Sequence, residues 1–403
     1  MESTLQPKLR FSEFDGDWKN YSFNDIFSFT TGKNIKQKEA SPSFNIPCVR
    51  YGELYYMYKE VITKVINYTN LDESELKFSE GDEILLPSAG EDPMDIGSAS
   101  ALTLKDVAIG RTINILKPKN KNVYSSIFAS YYINEKLKIK ISSLAKGVSI
   151  SNVYNTDLQT LFIKLPSLPE QQKIADYLST IDEKLTLLEE KKTELSRYKK
   201  VMMQKLFSQE IRFKDKNGSD FADWKNSFGG DIFISHTNKN HNSDLDVLAI
   251  TQEHGAIPRN LIDYKVQVSN EGVNNYKVVE KDDFIISLRS FQGGIEHSNY
   301  IGICSPAYII LRNIKPIEPL FYKAFFKSRN YINYLNRTLE GIRDGKMISY
   351  SNFAKSKLPY PSLPEQQKIA DFLSTVDESI DKVSEQIKET QSFKKAMLQQ
   401  MFV

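Results

Sequence analysis

"PSLPEQQKIADYLSTIDE" runs from Pro166 to Glu183, and "PSLPEQQKIADFLSTVDE" runs from Pro361 to Glu378. The match continues beyond these segments. Residues 166–207 align with 361–402 at a constant offset of 195, without a gap, closing on "YKKVMMQKLF" and "FKKAMLQQMF". A repeat with no insertion predicts one rigid element. Ser167 and Glu170 have the spacing of a capping box, and Pro169 falls in the first turn, where its missing N–H costs nothing. No Gly or Pro follows until Gly218, so the segment reads as a long helix. Apolar residues recur at steps of four and three: Ile174, Leu178, Ile181, Leu185 and Leu188 in one copy, and Ile369, Leu373, Val376, Ile380 and Val383 in the other. That spacing is a coiled-coil seam. Each buried seam side chain contributes roughly 1.5–3 kcal/mol, so the two helices are expected to pair with each other. Lys192 and Lys199, with Thr390 and Lys394 in the second copy, interrupt the seam and predict looser packing or another partner there. About 40 residues at a rise of ~1.5 Å make a rod of ~60 Å. Antiparallel pairing is expected to hold the two remaining parts of the chain at its opposite ends.

The full chain of 403 residues is long for one core. The repeat divides it into a variable region at 1–165, a helix at 166–209, a second variable region at 210–360 and a helix at 361–403. Both variable regions open alike, on "LRFSEFDGDWKN" with Trp18 and "IRFKDKNGSDFADWKN" with Trp224. Strand-like runs correspond as well: "GDEILLPS" at Gly81 with "KDDFIISL" at Lys281, and "IGRTINIL" at Ile109 with "CSPAYIIL" at Cys304. The fold class is therefore α+β, with two mixed α/β domains separated by two long helices in an antiparallel coiled coil. One scaffold appears twice with divergent loops, the pattern that selection for two different ligands leaves behind. Drift after duplication is the rival explanation.

Several chemistries are excluded. There is no G-x-x-x-x-G-K-[ST] phosphate loop and no NPPY-like aminomethyltransferase motif, and His236, His241, His254 and His297 all fall in the second half. No repeated histidine site exists, and no catalytic or metal-ligating set is expected. Glu75 and Lys77 form an ExK pattern of the kind nucleases use, but the preceding Pro-Asp is missing. Cys48 and Cys304 stand alone and read as buried thiols. The start "MESTLQPKLRFSEFD" lacks a signal-peptide core, and no run of about 18 apolar residues follows. These features predict a cytoplasmic protein with no membrane contact. Net charge is only +2, yet Lys105 to Lys146 holds nine Lys or Arg against Asp106 and Glu135. Each half has such a cationic stretch, suited to phosphates.

Nearly the whole chain resembles the specificity subunits of type I restriction-modification enzymes. The resemblance rests on the doubled "LPEQQKIADYLSTIDEKL" and "LPEQQKIADFLSTVDESI", the "RF…DWKN" starts, and "SLRSFQGGIE" and "CSPAYIIL". It implies that the variable regions are target recognition domains, each reading half of a split site on double-stranded DNA. It implies that the helices separate them and dock two modification subunits, which use S-adenosylmethionine to methylate adenine. Two restriction subunits using ATP and Mg would complete the enzyme, and this chain would bind no cofactor and perform no chemistry itself. The rivals are a coiled-coil adaptor joining two protein-binding domains, and a nuclease or methyltransferase in its own right.

Phosphate contacts position a protein on DNA and base contacts specify the sequence. For the first domain the expected contacts are Lys33, Lys36 and Lys38 in "TGKNIKQK", Arg50 and Tyr51 in "CVRYGEL", Ser88, and the turn Lys146, Gly147 and Ser149. Glu91, Asp92 and Asp95 form an acidic loop that must point away from DNA or accept from a cytosine amino group. For the second domain they are Thr251, Gln252, His254, Arg259, Arg289, Ser290, Gln292, Arg343 and Lys346. Arg289 suits guanine and Gln292 suits adenine, each pairing worth about 1–3 kcal/mol of discrimination. Gly293 and Gly294 beside them permit close backbone approach. Tyr55, Tyr56, Tyr58, Tyr131 and Tyr132 are expected to be core.

Overall fold

The computed structural model describes residues 6–147, 149–242, 244–262, 273–337 and 348–403. The repeat forms two helices, the central helix Leu168–Phe207 and the C-terminal helix Leu363–Met401. On the predicted seam Ile174, Leu178, Ile181, Leu185, Ile369, Leu373, Val376 and Val383 are buried, while Leu188 and Ile380 are half-buried. The chain divides into two compact units, one reaching Glu189 and including Glu385–Val403, the other Glu190–Ser384. In the first, Ile174 to Leu185 share a core with Met397 and Met401, and in the second Leu206 shares a core with Ile369 and Leu373. The start of each helix thus meets the end of the other, so the coiled coil is antiparallel.

In the first unit a five-stranded sheet runs in the order Phe27–Thr31, Ile113–Pro118, Glu83–Pro87, Ser100–Leu102, Val61–Ile62. Its pairs are antiparallel except the last. "EILLP" is buried along its whole length because both faces of the sheet are covered. Ile84 and Leu86 point into the core that contains the helices, and Leu85 joins Ile113 and Ile115 in a second core on the other side. A four-stranded sheet follows in the order Asn67–Thr69, Ile46–Val49, Lys105–Ile109, Phe78–Glu80. Trp18 is fully buried, its ring 5.6 Å from Phe128 and 6.4 Å from Phe402, so the last turn of the C-terminal helix completes this core.

The second unit repeats the scaffold. Phe233–His236, Ile309–Asn313, Phe284–Ile286 and Glu296–His297 form an antiparallel sheet whose first three strands correspond to the first three above. Lys225–Phe228 pairs with Lys357–Tyr360 as Lys19–Ser22 pairs with Phe162–Leu165. Phe207, the counterpart of Phe402, sits 5.6 Å from Phe321, which also meets Trp224 at 6.0 Å.

The invariance of "PEQQ" has a physical cause. Glu170 is 1% exposed and accepts from Arg10 Nε and Nη2, both at 2.8 Å; Glu365 accepts from Arg212 in the same fork, both at 3.0 Å. The glutamate with capping-box spacing thus turns to the arginine of "RF". Gln171 donates to Pro166 O at 2.9 Å and Val123 O at 3.0 Å and accepts from Ser125 N, as Gln366 donates to Pro361 O and accepts from Glu318 N. Each mixed domain is therefore bolted to the first turn of its helix. Two of the three seam lysines form ion pairs: Lys199 Nζ lies 2.5 Å from Asp377, and Lys394 Nζ lies 2.7 Å from Asp182 Oδ1 and 3.1 Å from both oxygens of Glu60, while Lys192 is exposed. Cys48 and Cys304 are buried free cysteines, as expected, and burial pushes both thiols up to about 12. Among the described residues no helix is long and apolar enough to cross a membrane.

Candidate nucleic-acid interface

In the first unit the predicted residues lie along one connected set of loops. "TGKNIKQK" is pinned to the turn between two strands: Lys33 N donates to Ile109 O at 2.9 Å and Arg111 N donates to Asn34 O at 2.9 Å. Gly32 packs so tightly there that a Cβ would lie 1.9 Å from the Gly110 carbonyl oxygen. Asn34 and Ile35 take φ of 51° and 55°. For a β-branched residue such a conformation costs roughly 1–3 kcal/mol, and burial of Ile35 holds it. The result is a fixed loop with Lys33, Lys36 and Lys38 exposed. Arg50 adjoins Gly110, whose N–H donates to Val49 O at 2.8 Å. Its guanidinium is oriented by Glu53, which accepts from Arg50 Nε at 2.7 Å and from Asn67 Nδ2 at 3.0 Å while almost fully buried.

Ser88 N donates to Thr112 O at 2.9 Å, and Val153 N donates to Ser88 O at 3.0 Å. The adjoining Ala89–Gly90 pairs with Ser151–Asn152, and the Tyr55 hydroxyl reaches the Ala89 carbonyl. Lys146 and Asn152 close a turn that exposes Lys146, Gly147 and Ser149. Lys146 Nζ bonds Asp157 Oδ1 at 2.7 Å, holding that carboxyl below its ordinary pKa. The acidic loop has a local task, since Asp92 accepts from Met94 N at 2.8 Å as the N-cap of Pro93–Ile96. Arg111, exposed beside Asn34, is a further cation at this place. Tyr131 and Tyr132 are core as expected and Tyr55 and Tyr58 are half-buried, but Tyr56 is 83% exposed, while Tyr51, named as a DNA contact, is exposed. The correction follows from Tyr51–Tyr56 being a surface helix that buries Glu53 and Leu54.

In the second unit Thr251 builds the turn of a hairpin, its Oγ1 accepting from His254 N at 2.9 Å and donating to Gly255 O at 3.2 Å. Gln252 and His254 are exposed at the tip, and Arg259 is half-buried at the hairpin's end. Arg289 caps the short helix Ser290–Gly293 and is exposed with Gln292. Ser290 is 1% exposed and its hydroxyl accepts from Ser287 N at 2.8 Å. It therefore shapes the turn from below, a correction to its place among the surface contacts. Arg343 and Lys346 lie outside the described residues. Among the described residues no three His, Cys, Asp or Glu gather as metal ligands.

The model of the type I restriction modification DNA specificity domain matches this chain twice, over residues 15–197 and 214–390. The chain belongs to that family. Each match covers one mixed domain and most of the long helix that follows it. The chain is 27% identical over 295 residues to the MjaX type I restriction enzyme specificity subunit of Methanocaldococcus jannaschii, covering 68% of this chain and 66% of that one. It is 24% identical over 391 residues to the MjaVIII specificity subunit of the same organism, covering 91% and 87%. The solved S subunit of a type I restriction-modification system from M. genitalium shares the fold, with a TM-score of 0.63 at 17% identity over 99% of both chains.

Proposed function

We propose that this chain is the DNA-reading specificity subunit of a type I restriction-modification enzyme, with one recognition domain per half of a split target. The observation that carries the reading is the doubled family match on two copies of one scaffold, whose loops share almost no sequence. The convergence of Lys33, Arg50, Ser88, Arg111 and Lys146 on one loop set supports it, as do the exposed Arg289 and Gln292. In this reading the exposed faces of the long helices dock two modification subunits and, with them, two restriction subunits. S-adenosylmethionine, ATP and Mg belong to those partners, and this chain supplies specificity without catalysis. The direct test combines the chain with its modification subunits and maps adenine methylation across a genome. A two-part motif separated by unread bases is the expected result. DNA binding of the complex should also weaken with salt, with a slope near −0.9 per phosphate contacted. Binding indifferent to salt, without methylation, would favour the adaptor.

A further inference from the structure

The second unit contains a partly buried ion pair between a helix end and a short strand. Lys327, just past the helix Pro319–Phe326, places Nζ 2.5 Å from Glu296 Oε1, and Glu296 is 2% exposed. The same Nζ donates to the Gln252 carbonyl at 3.2 Å. Two segments therefore meet on one ammonium: the exposed hairpin tip carrying Gln252, and the buried strand Glu296–His297, one residue beyond the Arg289–Gly294 turn. The contact is close on the other side too. A Cβ on Gly293 would lie 2.4 Å from Gln252 Cδ, so the Gln252 side chain rests on that glycine. Gly294, at φ 84°, packs against Phe326 O, where a Cβ would lie 2.2 Å away. Glu296 Oε2 is buried without a hydrogen-bond partner, so the carboxylate depends on Lys327 for its compensation.

Resting on the reading that this domain recognises half of a DNA target, we infer that Lys327 and Glu296 are positioning residues. They hold the Gln252 tip and the Arg289–Gln292 turn in register as one base-reading surface. Neither side chain need touch DNA. A bidentate contact to a base tolerates little displacement, so loosening this clasp degrades discrimination before it degrades phosphate-driven affinity.

The test uses the chain assembled with its modification subunits and compares wild type with Lys327→Met and Gly293→Ala by methylation mapping on a randomised target library. Lys327→Met removes the ammonium and keeps a stem of similar length. Gly293→Ala keeps the ion pair and displaces Gln252. Both are expected to relax preference at one or more bases of a single half-site by about tenfold, with the other half-site's preference and the complex's salt slope unchanged. Lys327→Arg should restore much of the preference. If Lys327→Met fails to assemble, Gly293→Ala alone decides. Wild-type preference in whichever variant assembles overturns the inference, as does equal loss at both half-sites. If wild type itself shows no split motif, the parent reading fails instead.

Discussion

His297 follows Glu296 in its short strand and is buried, its ring 5.2 Å from that of Phe284 and its Nε2 3.1 Å from Asp282 Oδ1. Its Nδ1 is buried without a partner. Burial lowers its pKa from the ordinary 6.5, against the smaller opposing effect of Asp282. A depressed folded-state value means that protons bind the unfolded chain more readily. The stability contribution is therefore present above the ordinary value and drains as pH falls below it, by up to about 1.4 kcal/mol per pH unit. The second unit is expected to lose stability between pH 7 and 5.5 in urea titrations, and His297→Phe should flatten that loss. An unchanged slope in the variant would remove His297 as its source. The histidine was visible in the sequence, but its burial was not, because "IEHSNY" carries no periodic signal of which face is covered.

The long helices show which parts of an element its pattern announces. The alternation of four and three steps located the seam because apolar burial is the same at every turn. Lys199 and Lys394 looked like weak points, and the structure shows them as ion pairs to Asp377 and Asp182, at positions related by the repeat. The two pairs are unequal. Lys394 is 12% exposed, touches two carboxylates and lies 5.4 Å from the Tyr131 ring centre, whereas Asp377 is 42% exposed. Lys394→Ala removes the cation facing Glu60 and Asp182, leaving Asp182 only the Tyr131 hydroxyl, and should destabilise by roughly 3 kcal/mol, the low end for breaking a buried pair. Lys199→Ala should cost less than about 1 kcal/mol, as exposed pairs do. Chemical denaturation of both variants measures the difference, and equal losses would contradict the ranking. In the same elements Glu170 and Glu365 have capping-box spacing but bind Arg10 and Arg212. Their partners lie 160 and 153 residues away, beyond any local rule.

For the molecule as a whole, the two units have separate cores. Arg289→Ala should therefore weaken preference at one half-site and leave the other intact, measured by methylation mapping; loss at both would contradict independent domains. The duplicated helices and the α+β class were legible in the order of residues, since repeats, heptad spacing and turn residues are local quantities. Arg111 and Lys327 were missed for the opposite reason. Arg111 is placed by a backbone bond to Asn34, and Lys327 by contacts with Glu296 and Gln252, none of them near in sequence. The amino-acid order alone determines that one helix occurs twice and that two unlike loop sets hang on one scaffold, because periodicity and identity need no third dimension. Which glutamate caps and which pairs, which serine is buried, and how each unit's core takes in residues from both long helices arise only from packing. There each polar group is satisfied by whichever partner the folded chain brings within bonding distance.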